Sequence, residues 1–320
     1  MSSQDTPPAI EARELAKNYG EIRAVDGLSL EIPRGEFFGL LGPNGSGKTT
    51  TVHMLSTLIR PGGGGARVAG LDVVADAVAV RRRIGVVFQD SALDRTLSVW
   101  ENLRFCGMLY GLAPAEIARR AGELLDLFGL AETRDRPVAT LSGGQRRALD
   151  IARGVIHRPD ILFLDEPTIG LDLPNRRRIW RFVGRLRAEL GMTVLLTTHY
   201  LEEAAECGRV AFISRGRIVK TGAPRELIAS LADYIVEIEA EDPDAADRAA
   251  SPHLGPALRD GERLCYRHRG EDLAALAALQ SRLGTGILGM RWRRPNLNDV
   301  FLWVNEPGAW QEPRRAQEGA

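Results

Sequence analysis

The 320-residue chain has no excess of either charge: Lys and Arg together number 42, and so do Asp and Glu, for a formal net charge of zero. A chain without a global field has no built-in attraction to nucleic acid or to an anionic lipid surface, so no nucleic-acid partner is expected. Cysteine is scarce. Cys106, Cys207 and Cys265 lie far apart and without C-x-x-C spacing, which offers neither a disulfide framework nor a zinc site and suits a reducing compartment. They read as packing residues. No apolar run approaches the length that spans a bilayer, and Met1 to Ala9 is polar and proline-rich rather than signal-like. Any membrane role is therefore expected to come through a partner. The length suffices for one full domain and a smaller one.

What is present is organised around Gly42-Pro43-Asn44-Gly45-Ser46-Gly47-Lys48-Thr49-Thr50. An apolar strand, Phe37 to Leu41, enters this turn and a helical stretch, Thr49 to Leu58, leaves it, which is the setting that G-x-x-x-x-G-K-[ST] requires of a phosphate cradle. Glycines let backbone N–H groups turn onto one anion, and the helix start adds its positive dipole end. Lys48 would reach the outer phosphates and Thr49 would hold Mg²⁺. Taken alone, the turn implies binding of a nucleoside triphosphate and nothing finer.

Before the cradle, residues 1–9 read as disordered. Ile10 to Ala16 reads as an edge strand that ends at Lys17-Asn18-Tyr19-Gly20, which puts Tyr19 on a loop; Val25 to Ile32 reads as its antiparallel neighbour. Pro61 to Gly65 reads as a mobile surface loop, and Val68 to Val73 as a strand. Ile84 to Phe88 is a continuous apolar run suited to a central parallel strand, and Gln89 at its carboxyl end faces the ligand crevice of an open sheet. Residues 91–158 turn helical, with a Ser98/Glu101 capping box and an apolar face of Ile117, Ala121, Leu124, Leu125 and Phe128.

Three further stretches carry chemistry. Leu141-Ser142-Gly143-Gly144-Gln145 opens a helix, Arg146 to His157; it reads either as a second anion site with Ser142 as cap or as an ordinary capped helix start. Ile161 to Glu166 is an apolar strand ending in two carboxylates, whose burial requires a cation or proton unless the end is simply solvated. Strand alternation would send Asp165 toward the metal and Glu166 toward an attacking water. His199 follows the buried strand Val194 to Thr198 and reads either as a packed residue or as a catalytic one.

Beyond a hairpin around Arg215-Gly216, Pro224 to Leu231 reads as a short helix that closes the first domain. A small α+β domain is expected over 232–305: strands at Tyr234 to Ala240, Arg263 to Arg267 and Ile287 to Trp292, a loop over Glu241 to Pro256, and helices over Asp272 to Leu283 and Asn296 to Val304. The last helix has Asn296 as N-cap, Asp299 three residues on, and a stripe of Leu297, Val300, Phe301 and Val304 that serves either an intradomain core or an assembly contact. Residues 306–320 read as a disordered tail.

In this order, Gly42 to Thr50, Gln89, Leu141 to Gln145, Ile161 to Glu166, Leu171-Asp172 and His199 resemble the ATP-binding-cassette (ABC) ATPases across residues 10–231. The resemblance implies an α/β P-loop NTPase, with a RecA-like core, an antiparallel β-subdomain and a helical subdomain, and names the motifs: Walker A loop, Q-loop Gln89, signature Ser142, Gly143, Gly144 and Gln145, Walker B Asp165, catalytic Glu166, D-loop and H-loop His199. It implies ATP and Mg²⁺ as cofactors, with Thr49, Gln89 and Asp165 around the metal and Lys48, Glu166 and His199 in catalysis. It further implies a head-to-tail dimer, taken as a homodimer, in which Ser142 to Gln145 of one chain closes over ATP held by Lys48 of the other, and Tyr19 stacks on adenine.

Glu101-Asn102-Leu103, Leu109-Tyr110-Gly111-Leu112, Arg146-Arg147-Ala148-Leu149-Asp150 and Pro295 to Phe301 are similar to the daunorubicin-resistance type of exporter ATPase. Asn296 and Asn298 depart from the commoner Pro-Ser-Leu-Glu/Asp ending, and both keep a cap. This type implies a separately encoded integral membrane permease of the ABC-2 class, a peripheral position on the cytoplasmic face of the membrane, and export of a small amphipathic, drug-like compound. Lipid or polysaccharide export is the alternative cargo reading. A soluble ABC ATPase of DNA repair or translation would call for tandem cassettes, a long coiled-coil insertion or zinc cysteines, which the chain lacks.

Overall fold

The structure is a computed structural model that describes residues 7–270 and 286–305. The chain divides into two compact units, with the division between Thr221 and Gly222 rather than near residue 231. In the first unit the elements run β1 (Ile10–Tyr19), β2 (Ile22–Ile32), β3 (Phe37–Leu41), α1 (Lys48–Leu55), β4 (Gly63–Val68), β5 (Leu71–Asp72), α2 (Ala77–Arg83) and β6 (Ile84–Val87). They continue through α3 (Val99–Leu109), α4 (Pro114–Phe128), α5 (Gly143–Val155), β7 (Ile161–Asp165), α6 (Leu173–Leu190), β8 (Thr193–Thr198), α7 (Leu201–Ala204), β9 (Arg209–Ser214) and β10 (Arg217–Gly222).

Two sheets form. One has the order β10-β9-β3-β8-β7-β6, in which β9, β3, β8, β7 and β6 pair in parallel. Every residue of β3, β7 and β8 is buried, as the unbroken apolar runs require of strands covered on both faces. The carboxyl ends of β3, β7 and β8 therefore finish side by side, with Leu41 opposite Thr198 and Asp165 opposite Thr197. The other sheet, β2-β1-β4-β5, is antiparallel.

Several expectations change here. The first strand is not an edge: β1 lies between β2 and β4, and it runs on through Tyr19, which ends the strand paired with Ile22 instead of sitting on a loop. The glycine run is not a loop either. Gly63 and Gly65 pair with Ala16 and Arg13, and Gly64, at φ +66°, passes so close to the Glu14 carbonyl that a Cβ would collide with it. Glu14 is itself left-handed at φ 48°, so the ladder is bulged here and glycine lets the backbones close. Residues 7–9 are ordered into the sheet: Ala9 is buried, donates to Ile32 O and accepts from Ala69 N. Residues 1–6 and 306–320 lie outside the described residues.

The helical stretch follows its sequence cues. Ser98 and Glu101 make the reciprocal box at the start of α3, and α4 buries Ile117, Ala121, Leu124, Leu125 and Phe128.

The second unit runs α8 (Pro224–Leu231), β11 (Tyr234–Ala240), α9 (Pro243–Leu254), β12 (Leu258–Asp260), β13 (Arg263–His268), β14 (Ile287–Arg293) and α10 (Leu297–Asn305). Its antiparallel sheet has the order β12-β13-β11-β14. The stretch expected as a loop over 241–256 is α9: Asp242 caps it on the Asp244 and Ala245 amides, and its buried side chains are only Ala246 and Ala250. The helix expected over 272–283 lies outside the described residues. Asn296 and Asp299 cap α10 reciprocally, as expected. Its buried face is Leu297, Val300 and Trp303, packed toward α8, while Phe301 and Val304 are half-buried.

Candidate active site

The cradle fills the gap between β3 and α1. A Cβ on Gly42 would collide with the Ile213 carbonyl, and Gly47, at φ +108°, would place one 2.5 Å from Ala24 O, so these two positions accept only glycine. Pro43, Asn44 and Gly45 form the exposed crest, and Thr50 sits half-buried on the first turn of α1. Lys48 is buried and folds back over the turn, donating to Gly42 O (2.8 Å) and Pro43 O (3.1 Å). Ser46 Oγ is buried with no hydrogen-bond partner among the described residues, a free polar group facing the turn that a phosphate oxygen suits.

Two carboxylates meet this turn from the end of β7. Asp165 Oδ1 accepts from Thr197 Oγ1 (2.5 Å) and from Thr49 Oγ1 (3.3 Å). Glu166 is not the next alternating strand residue, as expected, because the strand ends at Asp165 and Glu166 turns left-handed at φ 46°. Its amide is gripped by Thr197 O (3.0 Å) and Thr197 Oγ1 (3.1 Å). The turn aims its buried carboxylate between Lys48 Nζ, 3.5 Å from Oε1, and His199 Nδ1, 3.1 Å from Oε2. His199, expected either as packing or as chemistry, is one-third exposed with one ring nitrogen on Glu166. Glu203 on α7 steadies the end of β8 by accepting from Thr198 Oγ1 (2.7 Å), and it also accepts from Thr168 Oγ1.

The structure thus brings Lys48, Thr49, Asp165, Glu166 and His199 together. Tyr19, Gln89 and the Ser142 to Gln145 segment make no hydrogen bond to that group within the chain. Tyr19 is half-exposed with Lys17 Nζ 5.7 Å above its ring, and Gln89 is exposed just beyond β6. Ser142 caps α5: its Oγ accepts from Gln145 N (3.2 Å), and Gln145 Oε1 accepts from Ser142 N (3.0 Å). Gly143 is exposed on the first turn of that helix, and Gly144 is half-buried against Asn175. Sequence reasoning missed Thr197, Glu203 and Arg147, whose guanidinium is buried against the backbone carrying both carboxylates. A hydroxyl at the end of a buried strand was the only local signal for Thr197.

A strand–phosphate turn–helix unit, a parallel strand two places along the sheet ending in metal-type and base-type carboxylates, and a capped glycine pair define a P-loop nucleotide-hydrolysing protein. Comparison with known proteins gives the family. The ABC transporter family model matches residues 25–169. The chain is 44% identical to the daunorubicin/doxorubicin resistance ATP-binding protein DrrA of Streptomyces peucetius, over all of this chain and 98% of the relative. It is 41% identical to the Nod factor export ATP-binding protein I of Ralstonia nicotianae, over 92% of this chain and 93% of that one. Among solved structures, a bacterial ABC transporter cassette determined as a dimer superposes with a TM-score of 0.61 at 29% identity, covering 67% of this chain and 98% of its own. The chain belongs to the ABC transporter ATP-binding family and is an ATPase of that class.

Proposed function

We propose that this chain is the motor subunit of an exporter, hydrolysing ATP as a head-to-tail homodimer on the cytoplasmic face of a membrane and driving a separately encoded permease. The observation that carries the catalytic part is the placement of the Glu166 carboxylate between Lys48 and His199. In this reading Glu166 takes a proton from the attacking water, Lys48 leaves its loop carbonyls for the phosphates, and His199 supports the transferring group. Backbone amides of the cradle and of the Gly143–Gly144 turn hold charge with no reorganisation. Tyr19 stacks on the base.

The donor set fits Mg²⁺. Thr49 Oγ1 and Asp165 Oδ1 are hard oxygens 3.3 Å apart, and no cluster of three His, Cys, Asp or Glu side chains able to hold a metal occurs among the described residues. A site of this kind takes an ion that arrives with phosphates and keeps its waters. Thr49 and Asp165 would hold it, with Gln89 as a further donor. Bound there, it would neutralise charge developing on the phosphates.

A partner in the membrane is supported by two features. No helix among the described residues is long and apolar enough to cross a membrane. On α3, Phe105, Met108 and Leu109 are exposed, an apolar surface suited to a permease segment. The relatives named for daunorubicin resistance support a small amphipathic drug as cargo, and those named for Nod factor export keep a second cargo class open. Reconstitution with the permease tests the reading: hydrolysis should rise with the permease and rise again with an exported compound. A chain that stays off membranes containing the permease, and whose rate ignores it, would overturn the proposal.

A further inference from the structure

We propose that Arg147 is a positioning residue that couples the start of α5 to the backbone that aims Glu166. Its guanidinium is buried and bonds to carbonyls, while the carboxylates of Asp150 and Asp165 act on it only through their charge. Nε donates to Pro167 O, Nη1 to Phe88 O (2.6 Å), and Nη2 to both Asp165 O (3.3 Å) and Glu166 O (3.2 Å). One side chain thus holds three successive carbonyls of the segment leaving β7 and, with the same group, the carbonyl one residue before Gln89.

The need for such a clasp follows from the backbone. The chain leaves the sheet at Asp165, so the carbonyls of 165–167 have no strand to bond, and the turn itself supplies only a long bond from Ile169 N to Glu166 O (3.3 Å). Glu166 at φ 46° sits where a residue with a Cβ persists only if its surroundings hold it. Thr197 holds the amide side of Glu166 and Arg147 holds the carbonyl side. A lysine keeps the charge but lacks the planar fork that reaches carbonyls in several directions. Arg147 also rides on α5, five residues beyond its cap Ser142, or about 7.5 Å along the axis at about 1.5 Å of rise per residue. A movement of that helix when its first turn meets a phosphate is transmitted to the peptide that carries Glu166, with no contact between Arg147 and the nucleotide.

This inference rests on the chain being an ATPase, and the wild-type rate, measured alongside, tests that premise separately. The experiment is a double-mutant cycle on the full chain with Arg147→Lys and Arg147→Gln, each alone and with Glu166→Gln. ATP dissociation constants and single-turnover rates are read together. Misplacing a reacting group by about 1 Å costs about 10²-fold. Arg147→Gln should therefore lower the hydrolysis rate by about that factor at unchanged ATP affinity, with Arg147→Lys intermediate. In the Glu166→Gln background the same substitutions should change the residual rate little, because the residue through which Arg147 acts is already disabled. Losses that multiply in the double variants would overturn the proposal. So would wild-type rates in both single variants, or ATP binding lost in step with hydrolysis, which would make Arg147 a fold clasp only.

Discussion

Glu166→Gln separates binding from chemistry, and the geometry sets the sign of both effects. The substitution keeps the side chain's shape and its left-handed backbone, so Thr197 and Arg147 retain their bonds to the peptide. It removes the carboxylate proposed to take the proton, a contribution of about 10²–10⁴-fold, or about 3–5 kcal/mol in the barrier. It also removes the partner 3.5 Å from Lys48 Nζ. At that separation and an effective dielectric of about 20, the attraction is about 5 kcal/mol before desolvation, and most of it is offset by the cost of burying both ions. A phosphate competes with this carboxylate for Lys48, so ATP affinity should hold or tighten while turnover collapses. The assay pairs equilibrium ATP titration with single-turnover hydrolysis, and sizing the protein with ATP should reveal a trapped dimer. Turnover near wild type would remove Glu166 from its role, and ATP affinity weakened more than about tenfold would refute the competition between carboxylate and phosphate.

Tyr19→Ala should weaken ATP binding by about 1–3 kcal/mol, by analogy with base stacking on aromatic rings, and Tyr19→Trp should not; equal dissociation constants for wild type and alanine would leave the tyrosine a strand end only. Burial lowers the pKa of the His157 imidazole to about 4 from 6.5, against the raising effect of its 2.9 Å bond to Ile84 O and with a smaller lowering from Arg120. Between those values the unfolded chain binds a proton that the folded one refuses, so this stabilisation is complete above about pH 6.5 and is lost as pH falls toward 4. His157→Gln should flatten that part of a stability-versus-pH curve, by at most about 3 kcal/mol, and an unchanged slope would place the imidazole in solvent. Trp303→Ala should cost about 3–5 kcal/mol in melts of the second unit, with Phe301→Ala costing less; the reverse order would mean that α10 buries the face expected from the sequence. A chain ending at Thr221 should still bind ATP, as nucleotide titration would show.

The phosphate turn and the acidic strand end were legible because their chemistry is written in contiguous residues. The arrangement around them was not. Glu166 looks like one more alternating strand position until the φ angle that turns it toward His199 is known, and the groups that hold it, Thr197 and Arg147, lie 31 and 19 residues away in sequence. The helix α9 was hidden for another reason: its buried side chains are two alanines, too small to register as an apolar stripe, and prolines stand near both ends. In α10 a helical stripe was visible but was drawn one position off, since Leu297, Val300 and Trp303 recur at every third residue and Val304 does not. Local pattern thus located the chemistry, while long-range backbone contacts decided its orientation.

The glycine run at 62–65 has a practical consequence for handling the protein. A surface run of four glycines invites use as a site for an epitope tag, a fluorescent insert or a protease cut. Here those residues are threaded into the ladder beside β1, closed so tightly at Gly64 that no side chain fits. An insert there would pry apart the end of β1 that carries Tyr19, three residues beyond the Ala16–Gly63 pair, and so would disturb the ring proposed to stack on the base. The turn between β12 and β13 is the better port, because Gly261 is exposed there and has open space where a side chain would stand.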